Sequence, residues 1–160
     1  MADVEAALER LALRLPAVSP PVAAYRPAVR SGDHVYVSGQ LPMVDGELVA
    51  TGKVGAEIDV DHAYELARIC ALNGIAAVAS IADPGQIVRI VKVGGFVASA
   101  PGFTDQPKVV NGASELLGDV FGEAGRHARS AVGVAELPLG APVEVELIVE
   151  LAPSAKARLV

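Results

Sequence analysis

With 160 residues, 52% of them hydrophobic and only 4% aromatic, the chain has the size of one ordinary domain, and its core must be aliphatic. A net charge of −6 counts against a broad electrostatic footprint for nucleic acid, leaving room only for a small basic pocket. Cys70 alone excludes an internal disulfide, no apolar run is long enough to cross a bilayer, and Asp3, Glu5 and Glu9 stand where a signal peptide would be positive, so a soluble, cytoplasmic protein is expected.

Taken in order, Asp3 to Leu15 predicts an amphipathic helix. Val4, Leu8, Leu11 and Leu15 recur at three- and four-residue spacing, Asp3 serves as N-cap and Pro16 stops the helix. Pro16 to Pro21 is a stiff connector, so residues 1–21 form an N-terminal helix and linker within a single domain spanning 1–160. Tyr25 to Arg30 and His34 to Ser38 predict two strands joined through Ser31-Gly32-Asp33. Ser38-Gly39-Gln40-Leu41-Pro42 ends the second strand with a glycine, a place where a ligand or another backbone can approach closely. Asp45-Gly46 is a turn, and Glu47 to Lys53 predicts a short edge strand.

Asp59 to about Ile81 predicts a long helix with a broad apolar face, broken off by Asp83-Pro84-Gly85. Ile87 to Ser99 predicts a strand apolar on both faces, which fits burial on both sides. Pro107 to Phe121 predicts another helix, and Ala131 to Leu137 a strand. Pro142 to Leu151 alternates Val143, Val145, Leu147, Val149 and Leu151 against Glu144, Glu146, Ile148 and Glu150, a strand with one polar face. Leu137-Pro138-Leu139-Gly140 between the last two strands reads as a tight turn, so Arg129 to Leu151 is expected to form a hairpin whose outer ends carry a cation and carboxylates. Whether Arg129 meets Glu144 depends on register. The order of elements is that of an α+β domain with helices on one face of a mixed sheet.

Generic chemistry is sparse. Cys70 lies on the apolar side of the long helix, as a buried structural thiol or a nucleophile. His34, His62 and His127 have no metal-ligand spacing, so no metal is expected. His127, two residues before Arg129, has either no role or a place at a pocket rim. Gly94-Gly95 lies within a strand, and neither a phosphate loop nor a nucleophile elbow is present. Arg129 on its own is a structural ion pair or a ligand clamp.

Several segments together resemble the YjgF/RidA family of small trimeric imine deaminases. Ser38-Gly39-Gln40-Leu41-Pro42 resembles its Ser-Gly-Gln-hydrophobic-Pro signature, with Tyr25 where the family has a pocket tyrosine. Val91 to Val97 resembles its central strand, and Val110-Asn111 the start of its second helix. Arg129-Ser130-Ala131-Val132-Gly133-Val134-Ala135-Glu136-Leu137-Pro138, followed by Val143-Glu144-Val145-Glu146, resembles its closing motif. The resemblance implies a chorismate-mutase-like fold, a mixed sheet backed by two helices, here with an extra N-terminal helix, assembled as a homotrimer with clefts between subunits. It implies cofactor-free hydrolysis of 2-imino or enamine acids to 2-keto acids and ammonia. Arg129 would grip the substrate carboxylate and Glu144 would handle the attacking water, with Tyr25, Ser38, Gly39 and Asn111 lining the cleft. Ala131 stands where many deaminating members have cysteine, Gly133 where a polar residue is common, and the extra length resembles a longer subgroup often labelled endoribonucleases or translation inhibitors. The alternatives are a non-catalytic protein that binds a small carboxylate, or an endoribonuclease.

Overall fold

The computed structural model describes residues 3–18 and 24–153. Helix α1 (Val4–Arg10) starts on the side chain of Asp3, which accepts from the Ala6 backbone N–H at 3.0 Å. It stops well short of Leu15. Ala12 takes a left-handed conformation (φ 55°), and the backbone N–H groups of Ala12 and Leu13 donate to the carbonyls of Glu9 and Leu8. That pair of bonds closes the helix and turns the chain, so the later leucines of the apolar stripe lie outside it. Part of the connector expected at Pro16 to Pro21 lies outside the described residues.

Strands β1 (Ala28–Ser31), β2 (His34–Gln40), β5 (Ile87–Ala98), β6 (Ala128–Val134) and β7 (Val143–Leu151) form one sheet in the order β1-β2-β7-β5-β6. Instead of an edge strand over Glu47 to Lys53, a separate small ladder of β3 (Met43–Val44) and β4 (Glu47–Leu48) closes over the Asp45-Gly46 turn, both residues at positive φ. Helices α2 (Val60–Ala79) and α3 (Gln106–Phe121) cover one face of the main sheet. Asp59 caps α2 by accepting from the His62 N–H at 2.8 Å, and Pro107 opens α3, where its missing N–H costs nothing. The aliphatic residues of β7 alternate as the sequence predicts: Val143, Val145, Leu147, Val149 and Leu151 are buried against the helices.

The expected hairpin of the last two strands does not form. β5 lies between β6 and β7, parallel to the first and antiparallel to the second. A strand–helix–strand passage, β5-α3-β6, favours parallel pairing, because the crossover helix carries the chain back to the starting end. Leu137 to Gly140 is then a loop that steps over β5. It is pinned where the Gly52 N–H donates to the Gly140 carbonyl at 3.0 Å. Among the described residues, no helix is long and apolar enough to cross a membrane.

Candidate functional site

Parity along the strands decides which side chains can meet. Arg129 is in register with Val93 and, through it, with Leu147. Those residues face the helices, so Arg129 does too. It reaches α3, where Asn111 and Ser114 are three residues apart and hence on one helical face. Its Nη1 donates to Asn111 Oδ1 at 2.8 Å and to Ser114 Oγ at 3.1 Å. The Pro107 carbonyl lies 3.5 Å from Nη2, too long for a firm bond, and no other partner of the guanidinium occurs among the described residues. His127 completes this cluster, its Nε2 2.9 Å from Ser114 Oγ and its Nδ1 2.6 Å from the Gly125 carbonyl. Burial, reinforced by the charge of Arg129, lowers the His127 pKa against the opposing bond to Gly125.

A second cluster lies on the other face of the sheet. Glu144 is in register with Phe96 and, through it, with Val132, on the side that the helices leave uncovered. Between Val37 and Gln40, β2 carries one residue more than its partner β7, a bulge made by Ser38 and Gly39. The Glu144 carboxylate lies over Gly39 so closely that a methyl group there would sit 1.7 Å from Oε1. Ser38 Oγ donates to the Arg26 carbonyl at 2.7 Å, which ties the segment bearing Tyr25 to the bulge. Exposed Tyr25 and Gly39 share the wall of a cavity of about 520 Å³ with Gln40, Leu41, Asn73 and Leu139.

Half-burial raises the Glu144 pKa, and the neighbouring charge of Glu146 raises it further. Between the ordinary glutamate pKa and this raised one, the folded state binds more protons than the unfolded. Stability therefore falls as pH rises through that window, and the deficit persists above it. Glu144→Gln is expected to melt at a higher temperature than the parent at pH 7, with the difference gone by about pH 4. Equal melting temperatures at both pH values would show that the carboxylate carries no desolvation penalty.

The six residues singled out from the sequence thus fall into two groups, Arg129 with Asn111 and Tyr25, Ser38 and Gly39 with Glu144. Within one chain the two groups do not converge. Arg129 and Glu144 are two strand spacings and three register steps apart, on the order of 14 Å at Cα, on opposite faces. Ser114 and His127 went unassigned as site residues in the sequence, although Asn-x-x-Ser on a helix and His-x-Arg at a strand start place each pair on one side. Cys70 is fully buried, its Sγ 3.7 Å from the Val143 carbonyl and its pKa raised by burial, which suits a structural thiol.

Comparison with known proteins agrees with this architecture. The model of the family described as "YjgF/chorismate mutase-like, putative endoribonuclease" matches residues 5–151. Protein TCP17 of Trypanosoma cruzi is 48% identical over 92% of this chain and 94% of its own. A 2-iminobutanoate/2-iminopropanoate deaminase of Dermatophagoides farinae is 34% identical over 84% of this chain and 91% of its own. Among solved structures, a protein of unknown function from Agrobacterium tumefaciens superposes with a TM-score of 0.85, at 47% identity, covering 93% of each chain. The chain belongs to the YjgF/chorismate mutase-like family.

Proposed function

We propose that the protein hydrolyses 2-imino acids to 2-keto acids and ammonia, and that its two clusters are complementary half-sites which meet across subunit boundaries of a homotrimer. The observation that carries this reading is the Arg129 guanidinium. With Nη1 committed to Asn111 and Ser114, its Nε–Nη2 edge has the planar two-donor geometry that a carboxylate accepts side-on. Glu144, half-buried and with its pKa raised by that burial and by Glu146, suits a group that takes a proton from water and gives it up again. Its opposite-face position means that a second chain must bring the half-sites together, and the partly buried Phe96 beside exposed Val132 on the same face gives that chain an apolar contact.

In this mechanism the substrate carboxylate docks on Arg129 of one subunit, and the imine carbon faces Glu144 of the next. Water adds to that carbon as Glu144 takes its proton. Glu144 delivers that proton to nitrogen to give a carbinolamine; the hydroxyl proton then follows to nitrogen, the carbon–nitrogen bond breaks as the carbonyl forms, and ammonia leaves a 2-keto acid. The relationship to the Dermatophagoides farinae deaminase supports the reaction class. The endoribonuclease of the family's description has less support, since the net charge is −6 and the uncovered face carries Glu144, Glu146 and Glu150.

A second reading draws on Ala131 and Gly133, which follow Arg129 on the same strand face and carry no polar side-chain atom. It makes the protein a non-catalytic receptor for a small carboxylate. Following 2-iminobutanoate hydrolysis separates the two. Arg129→Ala is expected to lower kcat/KM by at least about 100-fold, as loss of a charged bidentate contact predicts. Wild-type turnover no faster than this variant would end the deaminase reading. Stabilisation by 2-oxobutanoate that depends on Arg129 would then favour the receptor.

A further inference from the structure

The hydrogen bonds around Arg129 fix the direction of every proton in the cluster. A guanidinium only donates, so Ser114 Oγ accepts from Nη1 and must turn its own O–H elsewhere. The carbonyl of Gly125 only accepts, so His127 Nδ1, 2.6 Å away, carries a proton. A neutral ring protonated at Nδ1 presents a lone pair at Nε2, 2.9 Å from Ser114 Oγ, where that hydroxyl can donate. Each group then has one role that satisfies its neighbours: Gly125 orients His127, His127 orients the Ser114 hydroxyl, and Ser114 and Asn111 together hold both protons of Nη1.

We infer that Ser114 and His127 are positioning residues for Arg129, locking its guanidinium so that the Nε–Nη2 edge, and not Nη1, is presented to a carboxylate ligand. Asn111 alone is a single point about which the guanidinium could swing. Adding Ser114 makes two points, which together with Nη1 define the plane. Burial of His127 and the adjacent Arg129 charge also favour a neutral ring over the imidazolium. Protonation at Nε2 would aim a second donor at the remaining lone pair of Ser114 Oγ, and the hydroxyl proton would lose Nε2 as its acceptor. Ser114 sits inside α3, where alanine is well tolerated by the backbone, so the relay can be cut without removing a helical residue.

The inference rests on the reading of Arg129 as a carboxylate clamp, and its test has a ligand-independent part. In ¹⁵N NMR of the ligand-free protein, His127 is expected as the Nδ1–H tautomer at pH 7. The Arg129 guanidinium should rotate slowly about its Cζ–N bonds in the wild type and faster in Ser114→Ala. An Nε2–H tautomer, or Arg129 signals unchanged by Ser114→Ala, would overturn the relay. In binding, Ser114→Ala should weaken 2-oxobutanoate by roughly tenfold, the effect of one lost hydrogen bond to a charged donor, and Ser114→Thr should restore most of it. With 2-iminobutanoate the same loss should fall on KM, leaving kcat within about twofold, since a guanidinium holding the carboxylate acts alike in ground and transition states. Unaltered 2-oxobutanoate affinity in Ser114→Ala would refute the role. Absence of imine hydrolysis in the wild type would refute the proposed reaction instead, with the NMR and 2-oxobutanoate results still deciding on Ser114 and His127.

Discussion

Gly112→Ala is expected to destabilise the protein by about 2–4 kcal/mol, against the ordinary helical preference for alanine. Two effects compete. Alanine in place of glycine within a helix is favoured by about 1 kcal/mol. Against this, a Cβ on Gly112 would lie 2.0 Å from the Tyr64 carbonyl oxygen and 2.9 Å from its carbon. Those are backbone atoms of α2, not the end of a side chain that could swing aside. Relief requires α3 to move off α2, which loosens the packing between Leu66 and Ala67 on one helix and Val109, Ala113 and Leu116 on the other, all buried. It also pulls at the 2.5 Å bond from the Tyr64 hydroxyl to Glu115. Overpacking typically costs about 1–3 kcal/mol and occasionally more, and a 2.0 Å approach to rigid backbone belongs at the upper end, about 3–5 kcal/mol before the helical gain is subtracted. For a chain of this length the net loss corresponds to roughly 5–15 °C in Tm. Gly118→Ala is the internal comparison, because nothing lies within 4 Å of a Cβ there. The two substitutions, six positions apart in α3, are expected to move Tm in opposite directions, and a rise in both would mean that the helices can separate without cost.

Much of the fold was legible because it is local. The helix opening at Asp59, the Pro107 start and the valine–glutamate alternation of β7 each depend on a few neighbouring residues, and the structure repeats them. The pairing of β6 was misread because a turn-forming Leu-Pro-Leu-Gly between two apolar strands satisfies every local condition for a hairpin. What excludes it is a distant strand, β5, whose twelve residues supply ladder bonds on both edges. The connection itself held the missing signal: a helix of 16 residues between β5 and β6 is the connection of a parallel pair. The site was legible only as residue types. Arg129 and Glu144 share a short stretch of sequence, but the faces they occupy follow from two separate registers, each of which inverts with a slip of one residue. The partners of Arg129 were out of reach for a similar reason. Ser114 and His127 are 13 residues apart on different elements, and only the approach of α3 to the β6 edge brings them together.

Gly39→Ala is expected to reduce imine hydrolysis by about 100-fold or more while leaving Tm within a few degrees. The added methyl group would sit 1.7 Å from Glu144 Oε1, 2.6 Å from its carboxyl carbon and 3.0 Å from Cγ. Unlike the Gly112 case, every one of these atoms belongs to the far half of a flexible side chain, so the carboxylate can rotate away and the strands need not part. Gly39 itself is exposed and lies in the β2 bulge, where no core packing is at stake. The damage therefore falls on position. A carboxylate displaced by more than 1 Å no longer lines up a water for attack, and a misplacement of that size is enough for a loss of about 100-fold. Gly94→Ala tests the choice of glutamate. A Cβ at Gly94 would lie 2.7 Å from both Cγ and Oε1 of Glu146, two residues further along the same strand face. It should displace Glu146 and leave Glu144 in place. Activity that survives Gly94→Ala and fails in Gly39→Ala assigns the water-handling carboxylate to Glu144, while the reverse pattern transfers that role to Glu146.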